Sequence, residues 1–175
     1  DNTAGTKVSL KESFTTIFTH PLVWFYAVAY ACTGAVRHSS DQLSVMFFTE
    51  QLGIDWKTEP MSVLVTMNLM TAAAVVGSIA AGFVSDKFFK GQRSPVAMFL
   101  YFLEAVVLTA AAAVMMAGFI KPGTLGVFLG GTFLVLTSLT VNSTHSIVGG
   151  AAPMDIGGKK MAGFAAGVID SFQYY

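Results

Sequence analysis

Residues 60–85 read PMSVLVTMNLMTAAAVVGSIAAGFVS, 26 positions without one Asp, Glu, Lys or Arg. A hydrocarbon core of ~30 Å is crossed by about 20 helical residues rising ~1.5 Å each. Lipid gives an open strand's backbone no partner, so such a stretch crosses as a helix. The pattern repeats outward. Residues 13–36 are free of charge, as are 105–120 and 122–154. The 105–120 run reaches the length of a span if it extends back to Pro95 and takes Glu104 inside the membrane. These runs predict an all-α membrane protein in contact with a lipid bilayer.

Composition agrees. The 175 residues are 54% hydrophobic and 11% charged, where a soluble domain carries roughly 25% charged residues. This excludes a disordered chain, a collagen-like chain, a disulfide-stapled domain and a nucleic-acid binder. Lys+Arg and Asp+Glu are 10 each, so no net charge steers a polyanion to it. Cys32, the one cysteine, reads as a small hydrophobe in an apolar stretch. Three scattered histidines and this cysteine make no metal site. There is no phosphate-binding glycine loop and no nucleophile constellation, so neither a cofactor nor enzymatic chemistry is expected.

The runs and their punctuation predict spans at about 21–49, 61–86, 95–119 and 124–149, with a fifth over 161–175. Pro21, Pro60 and Pro95 stand where helices begin, where a missing N–H costs nothing. Lys121-Pro122-Gly123 reads as a tight turn. Residues 1–20 are polar and read as a loop. Asp1 is not a start methionine and no signal peptide is visible, so the chain reads as a piece of something longer. Lys7 and Lys11, then Lys87, Lys90 and Arg93, then Lys159 and Lys160 fall on one side; Lys57 and Lys121 fall on the other. Basic loops stay inside, which places 1–20, 87–94 and 150–160 in the cytoplasm and 50–60 outside. Small residues four apart, Ala74/Ser78/Gly82, Ala73/Gly77/Ala81 and Gly163/Gly167, predict close helix contacts.

Polar groups inside the spans nominate a site. A central charge costs on the order of 2.5–3.5 kcal/mol in a membrane helix, so Arg37 must face protein or water. Two readings stand: an ion pair with Asp41 one turn later, or an anion-binding arginine in a water-filled cavity, with His38 beside it. Arginine suits phosphate because its planar fork donates parallel hydrogen bonds and keeps its charge. Tyr30, Thr33, Arg37 and Ser40 or Asp41 share a stripe. Ser138, Asn142, His145 and Gly149 form another, either lining a pathway or bonding helices together. Glu104 and Asp170 are acids inside the spans, each a candidate to hold a proton or a substrate group.

Three stretches carry a family resemblance. GSIAAGFVSDKFFKGQR at 77–93 resembles the loop joining the second and third helices of each half of a major facilitator protein. Gly82, Asp86, Lys87, Lys90 and Arg93 stand at its matching places. DIGGKKMAGFAAG at 155–167, with Asp155, Lys159 and Lys160, is similar to the stretch between the tenth and eleventh helices of the organophosphate:phosphate antiporter family. VRHSSDQLSVMFFTEQLG at 36–53 resembles that family's seventh helix, where an arginine holds substrate phosphate and a glutamate follows 13 residues later, as Glu50 follows Arg37.

The resemblance implies a major facilitator helical bundle, helices seven to ten and part of eleven, whose partner is the N-terminal half of the same transporter. It implies an organophosphate, a sugar phosphate or glycerol phosphate, exchanged for inorganic phosphate by alternating access in a bacterial inner membrane. The gate would use the loop residues above, and the substrate site Arg37, Asp41, His38, Asn142 and His145. The chain departs from the family in having Gln42 and Leu43 where Asp-Trp is usual, Ile169 where hexose-phosphate transporters have lysine, and Asp170 where bacterial members have glycine. A membrane sensor of sugar phosphate and a transporter of another anion are the alternatives.

Overall fold

A computed structural model describes residues 10–54, 57, 60–150 and 163–174. Asp155, Lys159 and Lys160 lie outside the described residues. Five α-helices follow in order: α1 (Leu10–Thr19), α2 (Pro21–Met46), α3 (Pro60–Phe88), α4 (Arg93–Met116) and α5 (Thr124–Gly150), with a further helical segment at 163–171.

The expected loop over 1–20 is corrected for its second half, which is helical. Leu10, Phe14, Ile17 and Phe18 recur at helical spacing, and Ile17 is buried. The helix ends because Pro21 holds His20 in extended backbone (φ −79°, ψ 117°). Pro21 then opens α2. Trp24 ties the two helices, its indole N–H donating to the Phe18 carbonyl at 2.9 Å.

The first long helix does not run on as an α-helix to 49. After Met46 it widens into a π-helical turn, Phe47–Gln51, with Leu52 N–H reaching back to the Phe47 carbonyl at 3.3 Å. The turn seats Phe48, fully buried, in a cluster with Leu52, Ile54, Val63 and Ile120 that closes one end of the bundle. At the close of α3, the N–H groups of Phe89 and Gly91 both return to the Ser85 carbonyl (3.2 and 3.0 Å). Lys90 and Gly91 there adopt positive φ, 54° and 77°.

Helix α5 is the centre, packed against α2, α3 and α4. Its seam with α3 is built on small residues and hydroxyls. A Cβ on Gly77 would stand 2.5 Å from the Leu139 carbonyl oxygen and from Ser143 Oγ, so glycine is what lets the two backbones approach. Ser138 Oγ donates to the Met70 carbonyl (2.8 Å) and Ser78 Oγ to the Asn142 carbonyl (3.2 Å). The other expected contacts are corrected. A Cβ on Gly82, Gly163 or Gly167 would meet nothing within 4 Å, so none of these glycines is in close contact with another described helix.

Large apolar side chains cover the outside, among them Phe99, Phe102 and Val106 on α4 and Val75, Ile79 and Phe83 on α3. Water would not tolerate this surface; a bilayer does. Helices Met61–Phe88, Arg93–Met116 and Thr124–Gly150 are long and apolar enough to cross a membrane. Helix α2 is as long, but its run Arg37–Asp41 makes it less apolar. The chain is an all-α helical bundle and an integral membrane protein.

Candidate functional site

Arg37 points from α2 toward α5, not along its own helix to Asp41. Among the described residues no carboxylate forms an ion pair with it. Its Nη1 lies 3.4 Å from His145 Nε2. Arginine only donates, so Nε2 accepts, and the imidazole proton falls to Nδ1. That atom is 2.8 Å from the Tyr30 hydroxyl, whose ring stacks on the imidazole at 5.1 Å and 15°. Tyr30 is seven residues before Arg37 on α2, two turns away on one face.

The same Nη1 also meets Gln173, in the turn just beyond the 163–171 segment. One orientation of the Gln173 amide satisfies both its neighbours. Its oxygen accepts from Arg37 Nη1 at 3.1 Å, and its nitrogen donates to Asp170 Oδ1 at 3.2 Å. Asp170 lines a cavity together with Tyr30 and His145. An open ring therefore runs from Asp170 through Gln173, Arg37 and His145 to Tyr30, joining α2, α5 and the end of the chain's last described stretch. Gln173 and Tyr30 are almost fully buried, and Gly34 makes room for Gln173 against α2.

Cavities lie on either side of this ring. One of about 270 Å³ is lined by Arg37, Asp41, Ser44, Thr71, Ser138 and Asn142, among others. Another of about 550 Å³ is lined by Tyr30, Ser78, His145, Ser146, Gly167 and Asp170, among others. The guanidinium sits at the wall between them.

Of the residues nominated from sequence, Arg37, Asp41 and Asn142 share the first cavity, and His145 and Asp170 share the second. Asn142 turns its amide to the Ser138 carbonyl (2.8 Å) while still facing the cavity. His38 goes elsewhere: its ring lies against Tyr174 at 5.5 Å, in a third cavity with Gln173. Glu104 lines none of these three cavities. It is buried on α4, where Thr144 of α5 donates to it at 3.3 Å, while Tyr101 of α4 receives a hydrogen bond from Thr33 at 3.1 Å. The loop residues Asp86, Lys87 and Lys90 are exposed at the far end of α3, with Lys87 5.1 Å from the Phe83 ring, and Arg93 opens α4.

Gln173 is the ring member that local reading missed. It is uncharged, in the last turn of the chain, 136 positions from Arg37, and no spacing rule reaches that far. Tyr30 was visible as part of the Arg37 stripe, though not as the partner of His145. Among the described residues no group of His, Cys, Asp and Glu is placed to hold a metal ion.

No protein-family model matches this chain, and no solved structure matches it. Curated relatives do. Membrane sensor protein UhpC of Escherichia coli strain K12 is 25% identical over 183 residues, covering 97% of this chain and 40% of that protein. Membrane sensor protein UhpC of Salmonella typhimurium strain LT2 is 25% identical over 160 residues, covering 87% of this chain and 35% of that protein. The chain spans about two fifths or less of the length of these relatives. Neither is named as an enzyme, and both are membrane proteins, as the apolar helices require.

Proposed function

We propose that this chain belongs to a major facilitator protein of the organophosphate:phosphate antiporter kind, in the bacterial inner membrane, and forms one wall of its substrate site. The observation that carries this reading is the state of Arg37. Its fork is bonded to a neutral imidazole and a neutral amide, between two cavities, with no carboxylate paired to it among the described residues. A membrane-embedded guanidinium left without a bonded counter-ion is a site for an anion. Phosphate matches its geometry, because two N–H groups of the fork meet two phosphate oxygens in parallel.

The mechanism follows from charge. Arg37 holds the phosphate of a sugar phosphate or glycerol phosphate, and the other half of the protein supplies the facing wall. Closing the two halves removes water from Arg37. A bound anion offsets that desolvation, and an empty site does not. Reorientation is then permitted with either phosphate or its ester bound, and exchange results. The basic loop residues Lys87, Lys90 and Arg93 hold the cytoplasmic side.

The curated relatives favour a second reading, a membrane sensor that binds the same ester without moving it. One experiment separates the two. The full-length protein is reconstituted into liposomes loaded with labelled phosphate, and glycerol 3-phosphate or a hexose phosphate is added outside. Efflux that Arg37→Ala abolishes supports the exchanger. Binding of the ester without efflux supports the sensor. Neither efflux nor binding overturns phosphate recognition at Arg37.

A further inference from the structure

Helix α4 carries two charged residues, Arg93 at its start and Glu104 near its middle. Its outer face suits hydrocarbon, with Met98, Phe99, Phe102 and Val106 exposed. Glu104 turns the other way, onto α5, and is 6% exposed. An ionised carboxylate accepts hydrogen bonds at about four positions. Out of water it persists where donors or a cation fill those positions, and otherwise it takes up a proton. Among the described residues Glu104 has one donor, the Thr144 hydroxyl at 3.3 Å. That hydroxyl carries a single proton, and the Thr140 carbonyl lies closer to it, at 2.9 Å.

No described cation makes up the deficit. Helix α5 contains no Lys or Arg, and its one histidine, His145, meets Arg37 of α2. Arg37 is engaged there and with Gln173. Arg93 stands 11 residues before Glu104, about 16 Å along the helix axis. Helix α3 brings Asp86 and Lys87, both in its last turn. The nearer titratable groups are uncharged: Tyr101 of α4, bonded to Thr33 of α2, with Cys32 beside Thr33 and Tyr26 on the same apolar cluster as Tyr101.

We propose that Glu104 is a proton-binding site, loaded at neutral pH, and that the proton keeps the α4–α5 seam closed. The neutral acid fits its surroundings. Its carbonyl oxygen accepts the shared Thr144 bond, and no charge is left in an apolar wall. Glu104 lines none of the three cavities around Arg37, so water reaches it when α4 parts from α5. Opening the seam and passing the proton from the carboxyl to water are then one event, which leaves a hydrated carboxylate. The inference is independent of what Arg37 binds. It makes any change of shape that separates these two helices sensitive to pH.

The sign comes from counting protons. A carboxyl in the unfolded chain releases its proton at about pH 4.3. Above that the folded protein holds one proton more, so stability falls as pH rises. The folding equilibrium loses about tenfold per pH unit until the folded protein also releases the proton.

The test uses the full-length protein in detergent, wild type beside Glu104→Gln and Thr144→Val. Infrared absorption reads the carboxyl directly, because a protonated acid has a carbonyl stretch that carboxylates and amides lack. The difference between wild type and Glu104→Gln at neutral pH should contain that band. Thr144→Val should shift it to higher frequency, since the carbonyl loses its hydrogen bond. Equilibrium unfolding between about pH 5 and pH 9 should show wild type losing stability relative to Glu104→Gln as pH rises. Glutamine keeps the shape of the neutral acid and has no proton to lose. A neutral-pH difference spectrum with carboxylate bands and no acid band would overturn the proposal. So would stability profiles of wild type and Glu104→Gln that run parallel across the pH range. An acid band unmoved in Thr144→Val would overturn the role in the seam, because the carboxyl would not be bonded to α5. If the valine variant fails to fold, the glutamine comparison alone still decides the proton.

Discussion

Arg37 of α2 and His145 of α5 meet with Nη1 and Nε2 3.4 Å apart, and that contact decides which imidazole nitrogen carries the proton. Nε2 must accept, so Nδ1 donates to Tyr30. The prediction concerns the acceptor. His145→Leu removes the acceptor facing Arg37 and the donor facing Tyr30, leaving polar groups stranded at a cost of about 1–3 kcal/mol. His145→Gln keeps an acceptor and a donor. Thermal unfolding in detergent should show the leucine variant clearly less stable than the glutamine variant, and the glutamine variant should keep more of the wild-type phosphate affinity.

A second prediction concerns Glu104, which is buried where Asp170, the other acid nominated inside the spans, is exposed. Glu104 accepts from Thr144 within the α4–α5 seam and lines none of the three cavities around the Arg37 ring. Glu104→Gln preserves an acceptor for Thr144 and touches no part of the ring. Affinity for inorganic phosphate and for its esters should match wild type. A fall in that affinity would mean that the carboxylate acts on the site through α5.

The small-residue stripe of α3 gives a third. At Gly77 a new side chain would run into the Leu139 backbone oxygen and Ser143 at 2.5 Å, and only separation of the helices could relieve it. Gly77→Val should destabilise by about 1–3 kcal/mol, the range for overpacking. At Gly82 a methyl group meets nothing within 4 Å. Gly82→Ala should therefore be neutral or stabilising by up to about 1 kcal/mol, the helix preference of alanine over glycine. The unfolding temperatures of the two purified variants decide this, and equal losses would show that the Gly82 face also packs closely in the membrane.

The contrast between Gly77 and Gly82 also marks what was legible in the sequence. Both belong to small-residue stripes four apart, and nothing local tells them apart; only the path of α5 selects Gly77. The helices themselves were plain, because a bilayer demands long uncharged runs and charges bound them, as Glu59 and Asp86 bound the run at 60–85. Helix α1 was missed because ten residues with interspersed polar groups resemble a loop as much as a helix. The π-helical turn at Phe47–Gln51 carries no signature that periodicity would catch. Arg37 stood out because a charge in a span has few explanations. Its partner Gln173 did not, because an uncharged amide beside a helix end is unremarkable until the fold closes the distance.

The last prediction tests which side each end faces. The excess of basic residues between α3 and α4 assigns that turn to the cytoplasm, and the stretch holding Lys57 to the outside. Lys57 and Lys90 are both exposed in the structure, so a cysteine at either position is open to reagent once the correct compartment is reached. In intact cells expressing the full-length protein with Cys32 replaced by alanine, a membrane-impermeant maleimide should label Lys57→Cys and spare Lys90→Cys. After permeabilisation both should react. The reverse order would turn the protein over in the membrane. It would also move the cavity holding Asp170, which lies beside Gly150 at the end of α5 nearest the basic residues, from the cytoplasmic to the outer side of the Arg37 ring.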